Sequence, residues 1–277
     1  MSSQERERSA SERREALKQV LAQARSCTRC TELAATRKTV VFGAGNADAD
    51  LMFIGEAPGA SEDEQGVPFV GRAGKLLEQL LVEIGLERAA VWICNVLKCR
   101  PPGNRDPLPL EIENCQDYLL RQVELIQPTV ICTLGNFSTK LLRGDPTGIT
   151  RLHGQPEVIA LGARSVRLYP IYHPAAALYT PRMLETLRED FARLPELLAL
   201  GAPEQPEKIE PLGTVGGMGD VEGLVEVGSA AAGGAGRGAA GADERSGAAR
   251  SGGVAQAPAA AQAPGEETSG ADQLGLF

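Results

Sequence analysis

LMFIGEAPG, residues 51–59, joins a short apolar run to a loop rich in glycine and proline. An apolar run of this length that ends in turn residues predicts a buried strand. The same pattern returns where VWIC, residues 91–94, runs into Asn95, and where LYPIY, residues 168–172, runs into His173. Polar clusters after buried strands are where open α/β sheets build their sites. The sequence therefore predicts one site assembled from three separated loops.

Strands alternate with helices along the rest of the chain. Apolar runs predict further strands at 130–134 and 166–172 and short strands near 157–161. Helical spacing of apolar residues predicts helices at 11–25, 73–85, 110–126, 136–143 and 182–200. This alternation predicts an α/β fold, in which helices cover both faces of a parallel sheet.

The composition of the 277-residue chain changes near residue 202. Beyond it Gly, Ala, Pro, Ser and Glu dominate, which is typical of disordered segments. We predict an N-terminal helical segment over 1–26, a globular domain over 27–202 and a disordered acidic tail over 203–277. The tail carries −7 of the formal net charge of −8. Because the remaining chain is almost neutral and can have a basic face, a nucleic-acid partner is not excluded.

The N-terminal segment MSSQERERSASERREALKQ is charged and lacks the apolar centre of a signal peptide, and no stretch is long enough to span a bilayer. We expect a cytoplasmic protein that does not contact a membrane. In that reducing compartment the six cysteines are expected to be metal ligands, core residues or reactive thiols rather than disulfides.

Four of the cysteines have the arrangement of a metal site. Cys27 and Cys30 have a C-x2-C spacing, which lets one turn present two thiolates, and Cys99 and Cys115 can complete a set of four. The other two cysteines lie inside apolar runs and are expected in the core. The core is also the alternative for Cys99 and Cys115, although Cys99 stands in a charged, proline-rich loop. Four thiolates fit zinc and a [4Fe–4S] cluster equally well.

Each candidate residue near the strand ends also has an ordinary structural interpretation. Glu56 can cap the turn that follows it, and Phe69 can belong to the core. Asn95 is a common turn residue, and a histidine such as His173 more often makes a structural hydrogen bond than a catalytic one. The functional interpretation depends on finding these groups together.

Four ordered motifs carry a resemblance to a known family. They are GEAPG at 55–59, GVPFVG at 66–71, NVLKCRPPGNRDP at 95–107 and HPAA at 173–176. From Cys27 to about residue 200, the chain resembles the family 4 uracil-DNA glycosylases, the iron–sulfur type. The resemblance implies a three-layer α/β/α fold with a central four-stranded parallel sheet, so that 27–202 would be a uracil-DNA glycosylase domain.

The resemblance also implies an activity and a cofactor. The activity is excision of uracil from DNA, which leaves an abasic site for base excision repair. The cofactor is a [4Fe–4S] cluster rather than zinc, held by Cys27, Cys30, Cys99 and Cys115.

Uracil in DNA can be reached only after its nucleotide is flipped out of the base stack. Phe69 would stack on the flipped base, Asn95 would bond its N3–H and O4, and His173 would donate to O2 as negative charge grows there. Glu56 and the backbone of Ala57 would line the same pocket. His173, Asn95 and Glu56 are the predicted catalytic residues.

The sequence does not identify the group that activates the attacking water. In the related family whose loop reads GQDPY, an aspartate at the place of Ala57 assists the attacking water, and this chain has no carboxylate there. Either Glu56 replaces it, or stabilisation of the leaving group suffices. Glu62 would lie near C5 of the base, where the methyl group of thymine would clash.

A second loop is predicted to contact DNA. TRLHG, residues 150–154, resembles the family loop that enters the minor groove near the flipped base. We expect contacts with DNA from Arg151 and His153 of this loop, and from Arg105 of the loop that follows Asn95. A solvated charged turn is the alternative interpretation.

The chain ends in QLGLF, residues 273–277, which resembles the short peptide by which bacterial repair and replication proteins bind the β sliding clamp. Gln273, Leu274, Leu276 and Phe277 would occupy a groove of the clamp. Chance drift of a low-complexity tail is the alternative.

Two other functions fit parts of the pattern. A protein of the same fold can bind or covalently trap uracil-DNA, but the trapping relatives carry a histidine in a KRRIH-like stretch where this chain reads CRPPGNRDP. A cysteine-bound metal module that binds nucleic acid without base chemistry would leave Asn95 and His173 incidental. We expect a monomeric enzyme.

Overall fold

The computed structural model describes the backbone of residues 3–206 and the side chains of residues 9–206. Almost all of the predicted tail lies outside the described residues, and so does its predicted clamp-binding peptide, residues 273–277.

A six-stranded sheet forms the centre of the described chain. The strands are β1 Ala44–Gly45, β2 Leu51–Gly55, β3 Trp92–Asn95, β4 Val130–Leu134, β5 Glu157–Leu161 and β6 Arg164–Ile171. Their order is β1-β3-β2-β4-β6-β5. The four central strands run parallel, which confirms the predicted sheet, and β1 and β5 pair antiparallel with its edges.

Helices pack on both faces of this sheet, as predicted. They are α1 Ser3–Arg25, α2 Thr31–Thr36, α3 Ala60–Gln65, α4 Arg72–Glu83, α5 Pro109–Ile126, α6 Asn136–Arg143, α7 Ile149–Leu152, α8 Pro174–Ala177, α9 Pro181–Ala192 and α10 Leu194–Ala199. Within the described part of the chain, none of them is both long and apolar enough to cross a lipid bilayer.

The prediction of one helix over 182–200 is wrong in one respect, because that segment is divided at Arg193 into α9 and α10. Pro195 lies in the first turn of α10 and has no N–H to donate to the carbonyl of Phe191. The regular hydrogen-bond pattern is therefore interrupted there.

The two faces of the sheet bury separate apolar clusters. All five residues of β2 are buried, and their side chains alternate between the faces. Met52 and Ile54 join the cluster that includes α1 and α5, whereas Leu51 and Phe53 join the cluster that includes α4 and α9. The apolar face of α1 is thus part of the same core as the sheet.

Gly74 lets the loop before α4 fold back onto that helix. A Cβ at this position would lie 1.7 Å from the carbonyl oxygen of Phe69. Phe69 itself has a φ of 54°, a left-handed conformation that costs a non-glycine residue energy. Close packing on α4 therefore helps to hold an unfavourable backbone conformation.

Replacing Gly74 with alanine should destabilise the protein, although Gly→Ala in an ordinary helix stabilises by about 0.5–1 kcal/mol. The added methyl group must displace the carbonyl of Phe69, so we expect a loss of about 1–3 kcal/mol in the free energy of unfolding, measured by urea denaturation. Gly148→Ala is the control, because its φ is −74° and its Cβ would meet nothing closer than 3.8 Å. An unchanged stability of Gly74→Ala would contradict the prediction.

Candidate functional site

The carboxyl ends of the parallel strands lie at one edge of the sheet. Gly55, the last residue of β2, pairs with Asn95, the last residue of β3. On the other side of β2, a Cβ on Gly135, which follows β4, would lie 3.1 Å from the Cβ of His173, which follows β6. The loops that the sequence singles out therefore open onto the same edge.

Phe69, Asn95 and His173 form one contiguous group beside Gly55. A Cβ at Gly55 would be 2.4 Å from Oδ1 of Asn95 and 2.8 Å from Cζ of Phe69, so both side chains lie over the bare glycine. The rings of Phe69 and His173 are stacked, with centroids 5.5 Å apart and planes at 28°. Phe69 and Asn95 are only 7% and 2% exposed. The buried phenyl ring and amide and the half-buried imidazole thus share one site.

Arg88 holds the loop that carries Phe69. Its guanidinium donates to the carbonyl oxygen of Phe69, at 3.1 Å, and to that of Pro68. These bonds stabilise the left-handed backbone at Phe69. No motif or spacing marks Arg88 in the sequence, because it acts on backbone carbonyls that only the fold brings near.

Glu62 fixes the other end of the same loop. Its carboxylate accepts hydrogen bonds from the N–H groups of Gly59, Val70 and Gly71, each at 3.1 Å. The segment between Gly59 and Gly71 is thereby closed into one unit. These contacts give Glu62 a structural function, and its position near C5 of a bound base stays a prediction.

His173 is held as a neutral hydrogen-bond donor. Its Nδ1 accepts the N–H of Ala175 at 3.1 Å, so in the neutral ring the proton is on Nε2. Burial lowers the pKa of His173 to about 4, against a smaller opposing effect of Glu62. At neutral pH the imidazole therefore presents an uncharged Nε2–H in a fixed orientation.

A cavity of about 290 Å³ opens beside His173. This volume is at the small end of the range for ligand pockets and suits one small planar ring. Phe69 stacks on His173, which lines the cavity, and Asn95 lies over Gly55, which directly precedes the lining residue Glu56. Phe69 and Asn95 do not line the cavity themselves. The lining residues are Glu56, Ala57, Pro58, Gly59, Pro101, Asn104, Arg105 and His173.

Glu56 is the carboxylic acid of this cavity. Burial raises the pKa of Glu56 to about 7, and the nearby charge of Asp106 adds to the rise. The group is therefore about half ionised at neutral pH, the range in which a carboxylate is an effective general base. Ala57 lines the cavity beside it and brings no second carboxylate.

Arg105, which is predicted to contact DNA, is held by two carboxylates. Its guanidinium bonds both oxygens of Glu111, at 2.6 and 2.9 Å, and one oxygen of Glu32, at 2.8 Å. Glu32 lies in α2, directly after the first cysteine pair, and Glu111 lies in the first turn of α5. Arg105 thus ties three segments together at the cavity wall, and a contact with phosphate stays a prediction.

The loop with Arg151 and His153 is anchored to α9. Nδ1 of His153 lies 3.1 Å from Oδ2 of the buried Asp190. The His153 ring also packs on Tyr172, with centroids 4.7 Å apart. The loop is thereby fixed against the residue before His173, while Arg151 remains exposed. Contact of this loop with DNA stays a prediction.

The four predicted ligand cysteines come together in the fold. Cys27 and Cys30 precede α2, Cys99 follows β3, and Cys115 lies on α5. Their thiols interact electrostatically with one another, and all six cysteines of the chain are free. The other two cysteines are fully buried in strands, as predicted. Among the described residues, no three His, Cys, Asp or Glu side chains form a group that could hold a single metal ion.

Hydrogen-bond donors face three of these sulfurs, a feature that tunes the thiolates of iron–sulfur clusters. In a four-iron cluster each thiolate binds a different iron atom, so the sulfurs stand further apart than around one ion. Burial raises the pKa of Cys115 to about 12, so a thiolate there requires a metal to replace its proton. The donor set therefore fits such a cluster. The contacts are Arg37 to Cys99 at 3.2 Å, the N–H of Lys98 to Cys115 at 3.3 Å, and Asn114 to Cys30 at 3.6 Å.

Comparison with known proteins agrees with this geometry. The family model of the uracil DNA glycosylase superfamily matches residues 42–196, which is more than half of the chain. A type-4 uracil-DNA glycosylase of Archaeoglobus fulgidus is 45% identical over 193 residues, which cover 68% of this chain and 96% of that protein.

Two further relatives have the same description. Type-4 uracil-DNA glycosylases of Sulfurisphaera tokodaii and Saccharolobus solfataricus are 48% and 47% identical over 177 and 180 residues. These matches cover 62% and 63% of this chain, and 80% and 83% of the two proteins. The chain therefore belongs to the uracil DNA glycosylase superfamily and, within it, to the type-4 uracil-DNA glycosylases.

Proposed function

We propose that this protein is a monofunctional uracil-DNA glycosylase, which flips uracil out of DNA, hydrolyses its N-glycosidic bond and leaves an abasic site for repair. The observation that carries the proposal is the convergence of Phe69, Asn95 and His173 beside Gly55. A stacking ring, a donor–acceptor amide and a neutral donor are the groups that a flipped pyrimidine requires.

Phe69 and Asn95 recognise the base. The phenyl ring stacks on the pyrimidine, and the amide accepts from N3–H and donates to O4. Cytosine presents the opposite donor and acceptor at these two positions, so it would leave buried polar groups unpaired. Such unpaired groups give strong discrimination, because Asn95 is almost completely shielded from water.

His173 stabilises the leaving group. As the bond between N1 and C1′ breaks, negative charge spreads onto O2 of uracil, and Nε2–H of His173 donates to that oxygen. The Nδ1 bond to Ala175 keeps the donor oriented, and burial keeps the ring uncharged. A donor fixed at the site of developing charge typically contributes about 10²–10³ in rate.

Glu56 is the proposed general base. Its carboxylate faces the same cavity as His173, and its raised pKa allows it to accept a proton from the attacking water near neutral pH. Glu56 thereby supplies the carboxylate that is missing at Ala57.

Cys27, Cys30, Cys99 and Cys115 are the proposed ligands of a [4Fe–4S] cluster. When bound, the cluster would supply a covalent cross-link between the turn before α2, α5 and the loop after β3, together with a net negative charge. Support comes from the mutual proximity of the four thiols and from the donors that face three of them. Arg105 strengthens the same junction through Glu32 and Glu111.

The remaining proposals concern partners. We propose that uracil-containing DNA is bound along the loop with Arg151 and His153, and that QLGLF at 273–277 binds the sliding clamp. The first rests on the exposure of Arg151 beside the site, and the second on the sequence alone. A monomeric state and a cytoplasmic location stay predictions.

His173→Ala should lower the single-turnover rate of uracil excision about 10²–10³-fold, and Asn95→Ala should lower it by about tenfold or more. The substrate is a single-uracil oligonucleotide, and the readouts are free uracil and alkali-labile breaks. Gln79→Ala, which removes an exposed amide on α4, is the control and should excise at the parent rate.

The same assay separates the alternative functions. Repeated turnover by the parent chain supports the glycosylase. A stable protein–DNA adduct would instead support a trapping protein, and binding without released uracil would support a metal module without base chemistry. Parent-like rates in both His173→Ala and Asn95→Ala would contradict the assignment of the site.

The pH dependence of excision should report Glu56. Because the ionised form is the base, the rate should rise with pH around a midpoint near 7, and the low pKa of His173 should leave that residue neutral throughout the rise. Glu56→Gln should remove the rise, whereas Asp106→Asn should move the midpoint to lower pH by removing a repulsive charge. A rise that persists in Glu56→Gln would assign the midpoint to another group.

Cys99→Ala should reduce the iron content and the visible absorption of the purified full-length chain, since a four-thiolate cluster would lose one ligand. Cys132→Ala is the matched control, because Cys132 is fully buried in β4 and lies outside the four-cysteine set. It should retain iron at the parent level. Equal iron in the two variants, or none in the parent chain, would contradict the proposed cluster.

A further inference from the structure

Lys98 is a buried cation between Asn95 and the cysteine set. Its side chain is 1% exposed, and its ammonium donates to the carbonyl oxygen of Asn95 at 2.7 Å and to Oε1 of Gln122 at 2.6 Å. The ammonium also lies 5.9 Å from the centre of the Phe42 ring. Such burial is rare for lysine and requires an explanation.

The direct partners of Lys98 carry no negative charge. The ammonium donates to a carbonyl oxygen and an amide oxygen and lies over a phenyl ring. It also interacts with the thiol of Cys94, whose pKa is raised by burial, so that this thiol is uncharged and none of these partners compensates the charge. None of the ion pairs within the described residues includes Lys98. A buried charge without a counter-charge is strongly unfavourable, so a negative group is expected nearby.

The four-cysteine set provides that group. The backbone N–H of Lys98 donates to the sulfur of Cys115 at 3.3 Å, and Lys98 directly precedes Cys99. The charge of Lys98 also favours the thiolate form of Cys115, so the ammonium and this thiol interact electrostatically in the protein interior. Thiolates bound to a cluster would therefore place negative charge within electrostatic range of the ammonium.

We propose that Lys98 is a positioning residue that links base recognition to the four-cysteine set. Its ammonium holds the backbone of Asn95, and the negative charge of the cluster-bound thiolates stabilises the ammonium. This inference rests on the proposed function. Gln122 supports the arrangement from α5, since its Nε2 donates to the carbonyl of Phe42 at 2.9 Å while its Oε1 accepts from Lys98.

Positioning through Asn95 can be tested by a double-mutant cycle on the full-length, cluster-loaded protein. Lys98→Met keeps the length of the side chain and removes the charge, and should lower the single-turnover rate of uracil excision about tenfold. If Lys98 acts through Asn95, the double variant with Asn95→Ala should be within about twofold of Asn95→Ala alone. If the double variant instead shows the product of the two single rate losses, the proposal is overturned.

The interaction between the Lys98 ammonium and the cluster-bound thiolates can be tested by thermal unfolding with and without iron. In loaded protein, Lys98→Met should lower the midpoint by about 2–4 °C, because the cluster loses its neighbouring cation. After removal of iron with a chelator, the same variant should be as stable as the parent chain or more stable, because an uncompensated buried charge is gone. A purely structural lysine would give a loss in both forms, which would overturn the proposal.

A second readout applies if the iron-free chains do not fold. Iron release from loaded protein to a chelator should then be about tenfold faster in Lys98→Met than in the parent chain. The reason is that a nearby cation stabilises the negatively charged cluster and its thiolates. Lys140→Met is the matched control, because Lys140 is the other buried lysine of the described residues and lies on α6. Equal release from the two variants would overturn the proposal.

These results are separable from failure of the proposed function. A parent chain without iron or without excision contradicts the glycosylase or the cluster itself. A parent chain with both, combined with independent effects of Lys98 and Asn95, contradicts only the link between them.

Discussion

The parallel pairing of β2 with β3 is the constraint on which the site depends. It sets Gly55 opposite Asn95, and the absence of a side chain at Gly55 leaves space for both the amide and the ring of Phe69. A shift of this register by one residue would turn Asn95 to the other face of the sheet. His173 arrives from β6, two strands from β2, and joins by stacking on Phe69. Backbone pairing, rather than side-chain reach, brings the group together.

Local pattern was sufficient to predict the centre of this fold. The parallel strands are apolar runs because both of their faces are covered, and the polar residues that end them indicate the site. The pair Ala44–Gly45 could not be predicted as β1, since two residues have no periodicity and their pairing depends on the exposed edge of β3. The break before α10 had a local signal in Pro195, which the continuing apolar spacing on both sides obscures.

Contacts between distant segments account for what the sequence could not supply. Arg88 and Glu62 bind backbone groups of one loop, and any residue has such groups, so no side-chain pattern reveals the contacts. Arg105 stands in a motif that suggests DNA, whereas its acidic partners become neighbours only on folding. Burial is also a property of the fold, and it makes His173 a neutral donor and Glu56 a weak acid.

The left-handed backbone at Phe69 has a consequence for the thermodynamics of recognition. Because Arg88 and the contact with Gly74 hold this conformation in the chain without DNA, the ring is ordered before an everted nucleotide arrives. The conformational entropy of the stacking surface is then lost during folding and not during association. An unstrained backbone at this position would make the loop more stable but binding of the base less favourable. The stability of the loop and the affinity for the base are therefore opposed at a single residue.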